Sequence, residues 1–479
     1  MPDPAATTPV RTVDVVVIGG GPVGENAAAR TAAAGLHSVL VEHELFGGEC
    51  SYWACMPSKA LLRPIDALAA AGRVRGAAEA LTGSIDVAAV FERRDSFTSH
   101  WDDSGQVEWA DGAGIETLRG HARLCGEREV DIAGDHPQRI RARHAVVVAT
   151  GSVPAEPPVP GLSDVPHWGS REATSAHEVP DSLVVLGGGV AGLEMAQAYA
   201  GLGSSVCVLG GGKLLARMEP IAGELVGASL RAKGIDVRTE AHAVAVAGVD
   251  GGVRVELDDG SSVQGAQLLV ATGRRPASED IGVETVGLKP GKALEVDDTG
   301  LVHGVDGAWL YAVGDVNGRA PLTHQGKHQA RIVGSVISAR ARGELGDQAV
   351  ADWSAYSLVA DHVAVPQVVF TDPQVASVGR TAAEAEGQGL TTRVVDLDIA
   401  VAGSALLADG YEGKARFVVD EDRQVLVGVT FVGQDVAELL HSATVAVVGE
   451  VPLNRLWHAV PSYPTVSEVW LRFLESYGL

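Results

Sequence analysis

Cysteine is scarce in this sequence: four occur in 479 residues, at positions 50, 55, 125 and 207. That is too few to staple a disulfide scaffold, and in a cytosolic chain a close pair suggests catalysis. Positive charge is also short. Thirty-seven Lys and Arg stand against 61 Asp and Glu, a formal net charge of −24. Such a balance argues against nucleic acid or an anionic membrane as a general partner, while leaving room for a local basic pocket for a phosphate. No apolar run is long enough to span a bilayer. The opening MPDPAATTPVRT lacks the basic start and apolar core of a secretory signal. Residues 1–12 therefore read as a disordered tail, and the protein as cytoplasmic.

The remaining composition, 46% apolar and 20% charged, is that of an ordinary soluble protein long enough for two to four domains. Residues 13–42 read VDVVVIGGGPVGENAAARTAAAGLHSVLVE. An apolar strand runs into Gly19, Gly21 and Gly24, an alanine-rich helix follows, and a second strand ends at Glu42. This is the dinucleotide fingerprint. The first glycine turns the chain, the second lets a pyrophosphate approach the backbone, and the third packs helix on strand. The acid accepts ribose hydroxyls, and the helix N-terminus favours the anion. A second copy, SLVVLGGGVAGLEMAQAYAGLGSSVCVL at 182–209, carries Gly187, Gly189 and Gly192. Its second strand ends at Gly210 instead of an acid. Two copies imply two bound dinucleotides. Three further runs, VVVATG (146–151, with Thr150 and Gly151), LLVATGRRP (268–276, with Gly273) and LYAVGD (310–315, with Gly314 and Asp315), read as strands ending in small-residue turns.

Around the first cysteines the sequence is GGECSYWACMPSK, residues 47–59. On a regular helix, positions 50 and 55 would have Cα atoms roughly 8–9 Å apart, whereas a disulfide wants about 5.5–6 Å. A bond between them would require a distorted backbone and would be easily reduced. Half a zinc site and two unrelated buried thiols are the other readings. No second cysteine pair exists to complete a common structural zinc site.

Together these motifs resemble the flavoprotein disulfide reductase family, which includes glutathione reductase, dihydrolipoamide dehydrogenase, mercuric reductase and soluble transhydrogenase. The resemblance runs from about residue 13 to 475. It implies an α/β architecture with two doubly wound Rossmann-like nucleotide domains and a C-terminal α+β dimerisation domain. The implied boundaries are 13–158 with 280–355 for FAD, 159–279 for NAD(P) and 356–479 for the dimer interface. It assigns FAD to Gly19, Gly21, Gly24, Glu42, Thr150, Gly151, Gly314, Asp315 and Thr323, the last within PLTHQGKHQA beside the flavin ring. It assigns NAD(P)H to Gly187, Gly189, Gly192, Glu194 and Gly273. Cys50 would be the interchange thiol and Cys55 the charge-transfer thiol. Lys59 and Glu194 would form the ion pair near flavin N5, where a cation helps the ring accept hydride. Cys125 and Cys207, in strand-like apolar runs, would be bystanders.

The chain departs from the family at two places. The segment HAVPSYPTVSE (458–468) keeps Pro464, Thr465 and Glu468, but Tyr463 occupies the position of the family's catalytic histidine. An unperturbed tyrosine has a pKa near 10, about 3.5 units above histidine. It is a proton donor and a poor base at neutral pH, and it can stack on a planar substrate. His458 at a helix end is the nearby imidazole that could substitute. Val190 stands where several relatives carry a tyrosine over the flavin. The expectation is an FAD-dependent reductase passing electrons from NAD(P)H through Cys55 and Cys50 to a disulfide or related sulfur substrate. The alternative is a flavin reductase of a quinone, dye, metal ion or second nicotinamide that bypasses the pair. NADPH is expected over NADH, because Gly210 removes the acid that would repel a 2′-phosphate and Lys213 and Arg217 follow. A homodimer with a shared site is expected, on the apolar stretch AELLHSATVAVV (437–448) and on Trp470, Leu471 and Phe473.

Overall fold

The computed structural model describes residues 10–346 and 348–479. Most of the expected tail thus lies outside the described residues, and the first strand already begins at Arg11. The chain forms two compact units. One holds the chain up to Met56 with Asp95–Ala155 and Arg274–His362; the other holds Pro57–Arg94, Glu156–Gly273 and Val363–Leu479.

In the first unit, four parallel strands lie in the order Glu116–Arg119, Ser38–Glu42, Arg11–Ile18, Gln138–Val148, and Leu310–Ala312 joins the last of these in parallel. Val13, Val15, Val16 and Val17 are fully buried, as expected of a parallel strand covered on both faces. The start of Gln138–Val148 extends the sheet antiparallel through Glu129–Ala133 to His121–Gly126. The helix Pro22–Ala32 packs on the helix Thr323–Ala341. Small residues permit the approach: a Cβ at Gly326 would meet Val23 at 2.6 Å.

The second unit contains a four-stranded parallel sheet, in the order Asp236–Arg238, Ser205–Leu209, Ser182–Leu186, Gln267–Val270. A separate antiparallel sheet runs Gln367–Val369, Gln374–Gly379, Val425–Gly433, Lys414–Asp420, Thr392–Asp398. Phe417 anchors the core of the latter, stacked on Phe473 at 4.1 Å and edge-on to Trp470 at 5.4 Å. Trp470 and Phe473 are therefore spent within their own domain, not on association. The helix Cys55–Gly72 begins at the cysteine pair, yet its Leu61 and Leu62 sit in one core with Leu193, Ala196 and Tyr199. That burial is why 57–94 groups with the second unit. Among the described residues, no helix is long and apolar enough to cross a membrane.

Candidate functional site

The two fingerprints fold as strand, turn and helix, and their glycines divide into two kinds. At Gly19, with φ +106°, a Cβ would meet the Ala149 carbonyl oxygen at 2.5 Å; at Gly24 it would meet the Gly19 oxygen at 1.9 Å. The second copy repeats this. A Cβ at Gly187 would lie 2.3 Å from the Ala271 oxygen, and one at Gly192 2.3 Å from the Gly187 oxygen. These four glycines are demanded by the protein's own packing. The middle ones are not: a Cβ at Gly21 would meet nothing nearer than 3.9 Å, and one at Gly189 nothing within 4 Å. Each middle glycine keeps a backbone surface bare at a helix N-terminus, which suits a dinucleotide pyrophosphate. The residues present thus fit both dinucleotides.

Glu42 closes the first cradle. Its Oε2 accepts the Gly20 N–H at 2.7 Å, and its Oε1 accepts those of His43 and Glu44 at 2.8 Å each. Burial would raise this carboxyl, but the hydrogen bonds outweigh it and hold the group below its ordinary value, hence ionised. Asp315, at the end of the strand Leu310–Ala312, accepts Ser152 Oγ at 2.6 Å, and Arg274 Nε donates to the same Ser152 Oγ at 2.7 Å. Gly314 N–H donates to Gln329 Oε1 at 2.8 Å. Thr150 Oγ1 donates to the Ala277 carbonyl at 2.7 Å, and Gly151 takes φ +73°. Ser152, Arg274 and Gln329 escape sequence reasoning because each acts only through a residue distant in the chain.

The cysteines lie on two helices, not one. Cys50 is in the short helix Gly48–Tyr52; the chain breaks at Trp53, with φ −136° and ψ 0°, and the helix Cys55–Gly72 starts at Cys55. Two separate helices, and not one regular helix, thus carry the pair, which is the kind of backbone that a bond between them would need. Cys50 and Cys55 are half-buried thiols. Cys55 Sγ lies 3.4 Å from Thr323 Oγ1, and Thr323 is the first residue of the 19-residue helix Thr323–Ala341. One sulfur therefore sits at the positive ends of two long helices, a setting that favours thiolate. The Cys50 thiol is pushed far above its ordinary value. A hydrogen bond to Cys55 is the main cause, followed by burial and the charge of Cys55, with Thr323 and Lys327 opposing. The pair thus resolves into a protonated Cys50 and a sulfur at Cys55 placed for the negative charge.

Glu25, in the first turn of the helix Pro22–Ala32, is a buried carboxyl with no partner for its Oε1. Burial pushes it up to about 7, Glu42 adding and Lys327 opposing. Cys125 and Cys207 stand apart from these groups. Burial pushes the first up to about 11 and the second up to about 12, so both are unreactive thiols at neutral pH.

Within the second unit, Lys59 Nζ donates to Glu194 Oε2 at 2.7 Å. Glu194 Oε1 accepts the Phe370 N–H at 2.9 Å, and the Lys59 ammonium lies 4.9 Å from the Phe370 ring centroid. Val190 is the first residue of the helix Val190–Gly201, which carries Glu194. Gly210 follows its strand as expected; Lys213 and Arg217 are exposed, and Gly273 takes φ +150°. His242, unremarked in the sequence, stands beside this loop: a Cβ on Gly211 would lie 3.8 Å from its Nδ1. Tyr463 is 78% exposed, whereas Glu468, on the following turn, is buried. His458 is exposed too.

Known proteins share this arrangement over nearly the full chain. Residues 13–330 match the family described as pyridine nucleotide-disulphide oxidoreductase, and 365–472 match its dimerisation domain. A mercuric reductase of Acidithiobacillus ferrooxidans is 30% identical over 470 residues, covering 97% of this chain and 82% of that protein. A dihydrolipoyl dehydrogenase of Thermus scotoductus is 32% identical over 477 residues, covering 96% of each. Among solved structures, the HOCl-induced flavoprotein disulfide reductase RclA of Escherichia coli, as its Cu(II) complex, superposes with a TM-score of 0.82 at 23% identity, covering 97% of this chain and 99% of that one. LpdA of Mycobacterium tuberculosis superposes at 0.81, also at 23% identity, covering 98% and 100%. These two establish a shared fold. With its paired fingerprints, its thiol pair and a match across both conserved regions, the chain belongs to the pyridine nucleotide-disulphide oxidoreductase family.

Proposed function

We propose that the protein is an FAD-dependent NAD(P)H oxidoreductase that reduces a disulfide or related sulfur substrate through Cys50 and Cys55. The observation that carries this is the geometry of the thiol pair: Cys50 on the short helix Gly48–Tyr52, and Cys55 at the N-termini of two helices with its Sγ 3.4 Å from Thr323 Oγ1. When bound, FAD would accept hydride from NAD(P)H and deliver two electrons to the pair. In the reductive direction, Cys50 passes its proton to Cys55 and attacks one substrate sulfur. The substrate's S–S bond breaks and its first thiol leaves with a proton. Cys55 then closes on Cys50 and the second thiol leaves. The balance is one protein thiol, one protein thiolate, one disulfide and one proton, the last relayed from solvent through Tyr463, in; and one protein disulfide and two thiols out. Tyr463, exposed and carrying a phenolic O–H, suits protonation of the leaving thiolate. Lys59, fixed by Glu194, would supply the cation at the flavin.

Three finer assignments belong to the same reading. NADPH is preferred, because no acid follows Leu209 and Lys213 and Arg217 are free to meet a 2′-phosphate. The protein works as a homodimer. The dimerisation-region match and the apolar side chains that one chain leaves in solvent support this, with Val445 at 54% and Val460 at 83% exposure. It acts in the cytoplasm on a small-molecule acceptor.

The exposed Tyr463 ring also supports a second reading, direct reduction of a planar quinone or dye stacked on it. A Cys50→Ser, Cys55→Ser double variant separates the two. Loss of all activity against a panel of oxidised low-molecular-weight thiols, in a protein still loaded with FAD, supports the sulfur route. Full retention of quinone reduction, with no disulfide turned over by wild type, establishes the second. A higher kcat/KM with NADH than with NADPH overturns the nicotinamide preference.

A further inference from the structure

Away from both dinucleotide cradles, the first unit holds a cavity of about 240 Å³ whose polar lining is cationic: Arg128, Arg143, His144 and Arg340, with the Tyr311 ring. No carboxylate lines it among the described residues. This runs against the chain, which carries 24 more acidic than basic groups. At the rim, Asp14 is taken up by Arg143 Nη1 at 2.8 Å and by the His37 N–H at 2.9 Å, and the exposed Glu127 stands 3.8 Å from Arg128. These two carboxylates offset part of the charge of Arg143 and Arg128.

The guanidinium groups are held by the fold yet incompletely used. Arg340 Nη1 donates to Tyr311 Oη at 2.7 Å, while Arg340 Nε is buried with no acceptor. Arg128 occupies a two-residue hairpin turn at φ +59°, a left-handed conformation that glycine or asparagine would adopt more readily. Its carbonyl accepts the Ala142 N–H at 2.8 Å, and its Nε is likewise buried without an acceptor. Each of these arginines lines the cavity and keeps one buried N–H without an acceptor, so neither guanidinium is saturated by the protein itself. The C-terminus of the helix Thr323–Ala341 lies here, and its dipole would itself repel an anion. Three guanidinium groups outweigh that half charge.

We propose that this cavity is an oxyanion site for a phosphate-class ligand. Guanidinium forks match phosphate oxygens two at a time. The volume falls below the roughly 300–1,000 Å³ of sites that enclose a drug-sized molecule. It therefore takes a free phosphate, or the terminal phosphate of a larger molecule, and not a whole nucleotide. The site is independent of the proposed redox chemistry.

The test uses FAD-loaded enzyme saturated with NADP+, so that both dinucleotide sites are filled. Inorganic phosphate is titrated by calorimetry at constant ionic strength against chloride, with pyrophosphate and ADP as parallel ligands. The expected result is one phosphate bound per chain, with affinity falling about tenfold or more for each guanidinium removed in Arg128→Gln and Arg340→Gln. Lys213→Ala, at the other expected phosphate contact, leaves this binding unchanged. Tighter binding of pyrophosphate or ADP than of phosphate marks the site as one for a terminal phosphate; the reverse order marks it as one for the free ion. Should the Arg128 and Arg340 variants fail to fold, Arg143→Gln, at a side chain 56% exposed, gives the decision: weaker binding supports the site. Absence of phosphate binding beyond chloride, or binding unaltered by these substitutions, overturns it.

Discussion

Glu194 offers the sharpest perturbation, because charge and geometry separate there. Its side chain is 3% exposed, and both oxygens are engaged, one by Lys59 at 2.7 Å and one by the Phe370 N–H at 2.9 Å. Glu194→Gln keeps an oxygen for Phe370 but removes the charge and the charge-assisted bond to Lys59. Such a bond contributes about 1.5–3 kcal/mol in general. Lys59 is 34% exposed, so solvent screens it, and the lower end applies, about 1–1.5 kcal/mol. Glu194→Ala also strands the Phe370 N–H, at a further cost of about 1–3 kcal/mol. If Lys59 acts at the flavin, its loss of anchorage slows flavin reduction. By the rule that 1.4 kcal/mol is a factor of ten, loss of the Lys59 anchor lowers the rate about tenfold in both variants, while the Phe370 cost appears in stability alone. Stopped-flow mixing of FAD-loaded enzyme with NADPH measures this directly. Thermal unfolding of the same samples reports the stability cost, larger for Ala. An unchanged reduction rate in a fully FAD-loaded, destabilised Glu194→Ala protein would refute the reasoning and leave the pair a structural strut.

Three other outcomes are expected. Gly24→Ala should not accumulate as folded protein, because its Cβ would fall 1.9 Å from the Gly19 oxygen; Gly21→Ala, with 3.9 Å of clearance, should fold but purify with little FAD, as flavin absorbance per chain will show. Glu25 keeps its proton to about pH 7 when folded, against about 4.3 when unfolded. Native protein therefore loses stability from this group as pH rises from about 4.3 to about 7, by on the order of 3 kcal/mol, and Glu25→Gln should reduce the slope of unfolding midpoints against pH in that window. If Glu468 of one chain faces Cys50 of the other, mixing Cys50→Ser with Glu468→Ala under subunit exchange should restore roughly a quarter of wild-type activity, since half the dimers would then hold one intact site of two; no recovery despite proven exchange would place the site within one chain or leave Glu468 without a part in it.

The fold was legible where local chemistry and packing demand the same residue. Gly24 and Gly192 are forced by the oxygens of Gly19 and Gly187 five residues before them, and Gly19 and Gly187 by positive φ and the oxygens of Ala149 and Ala271, so their spacing carried the nucleotide domains. The C-xxxx-C spacing said only that a bond there would need a distorted backbone, and the chain does break between the two helices, at Trp53. What stayed hidden depends on contacts far apart in the chain. Gln329 serves Gly314 from a helix, and Ser152 reaches Asp315 across 163 positions. Leu61 and Leu62 read simply as helical apolar residues, yet their burial beside Tyr199 assigns the cysteine helix to the second unit. Trp470 and Phe473 read equally well as interface or core, and only the ring stack with Phe417 decides for core.

The central claim is that Cys50 and Cys55 stand between flavin and substrate as a working redox pair. Anaerobic titration of the oxidised enzyme with NADPH tests it most directly. The account predicts that the first two electrons generate a long-wavelength thiolate-to-flavin band with the flavin still oxidised, and that Cys55→Ser abolishes this band. Direct bleaching of the flavin by the first two electrons, with no such band and an identical course in Cys55→Ser, would contradict it.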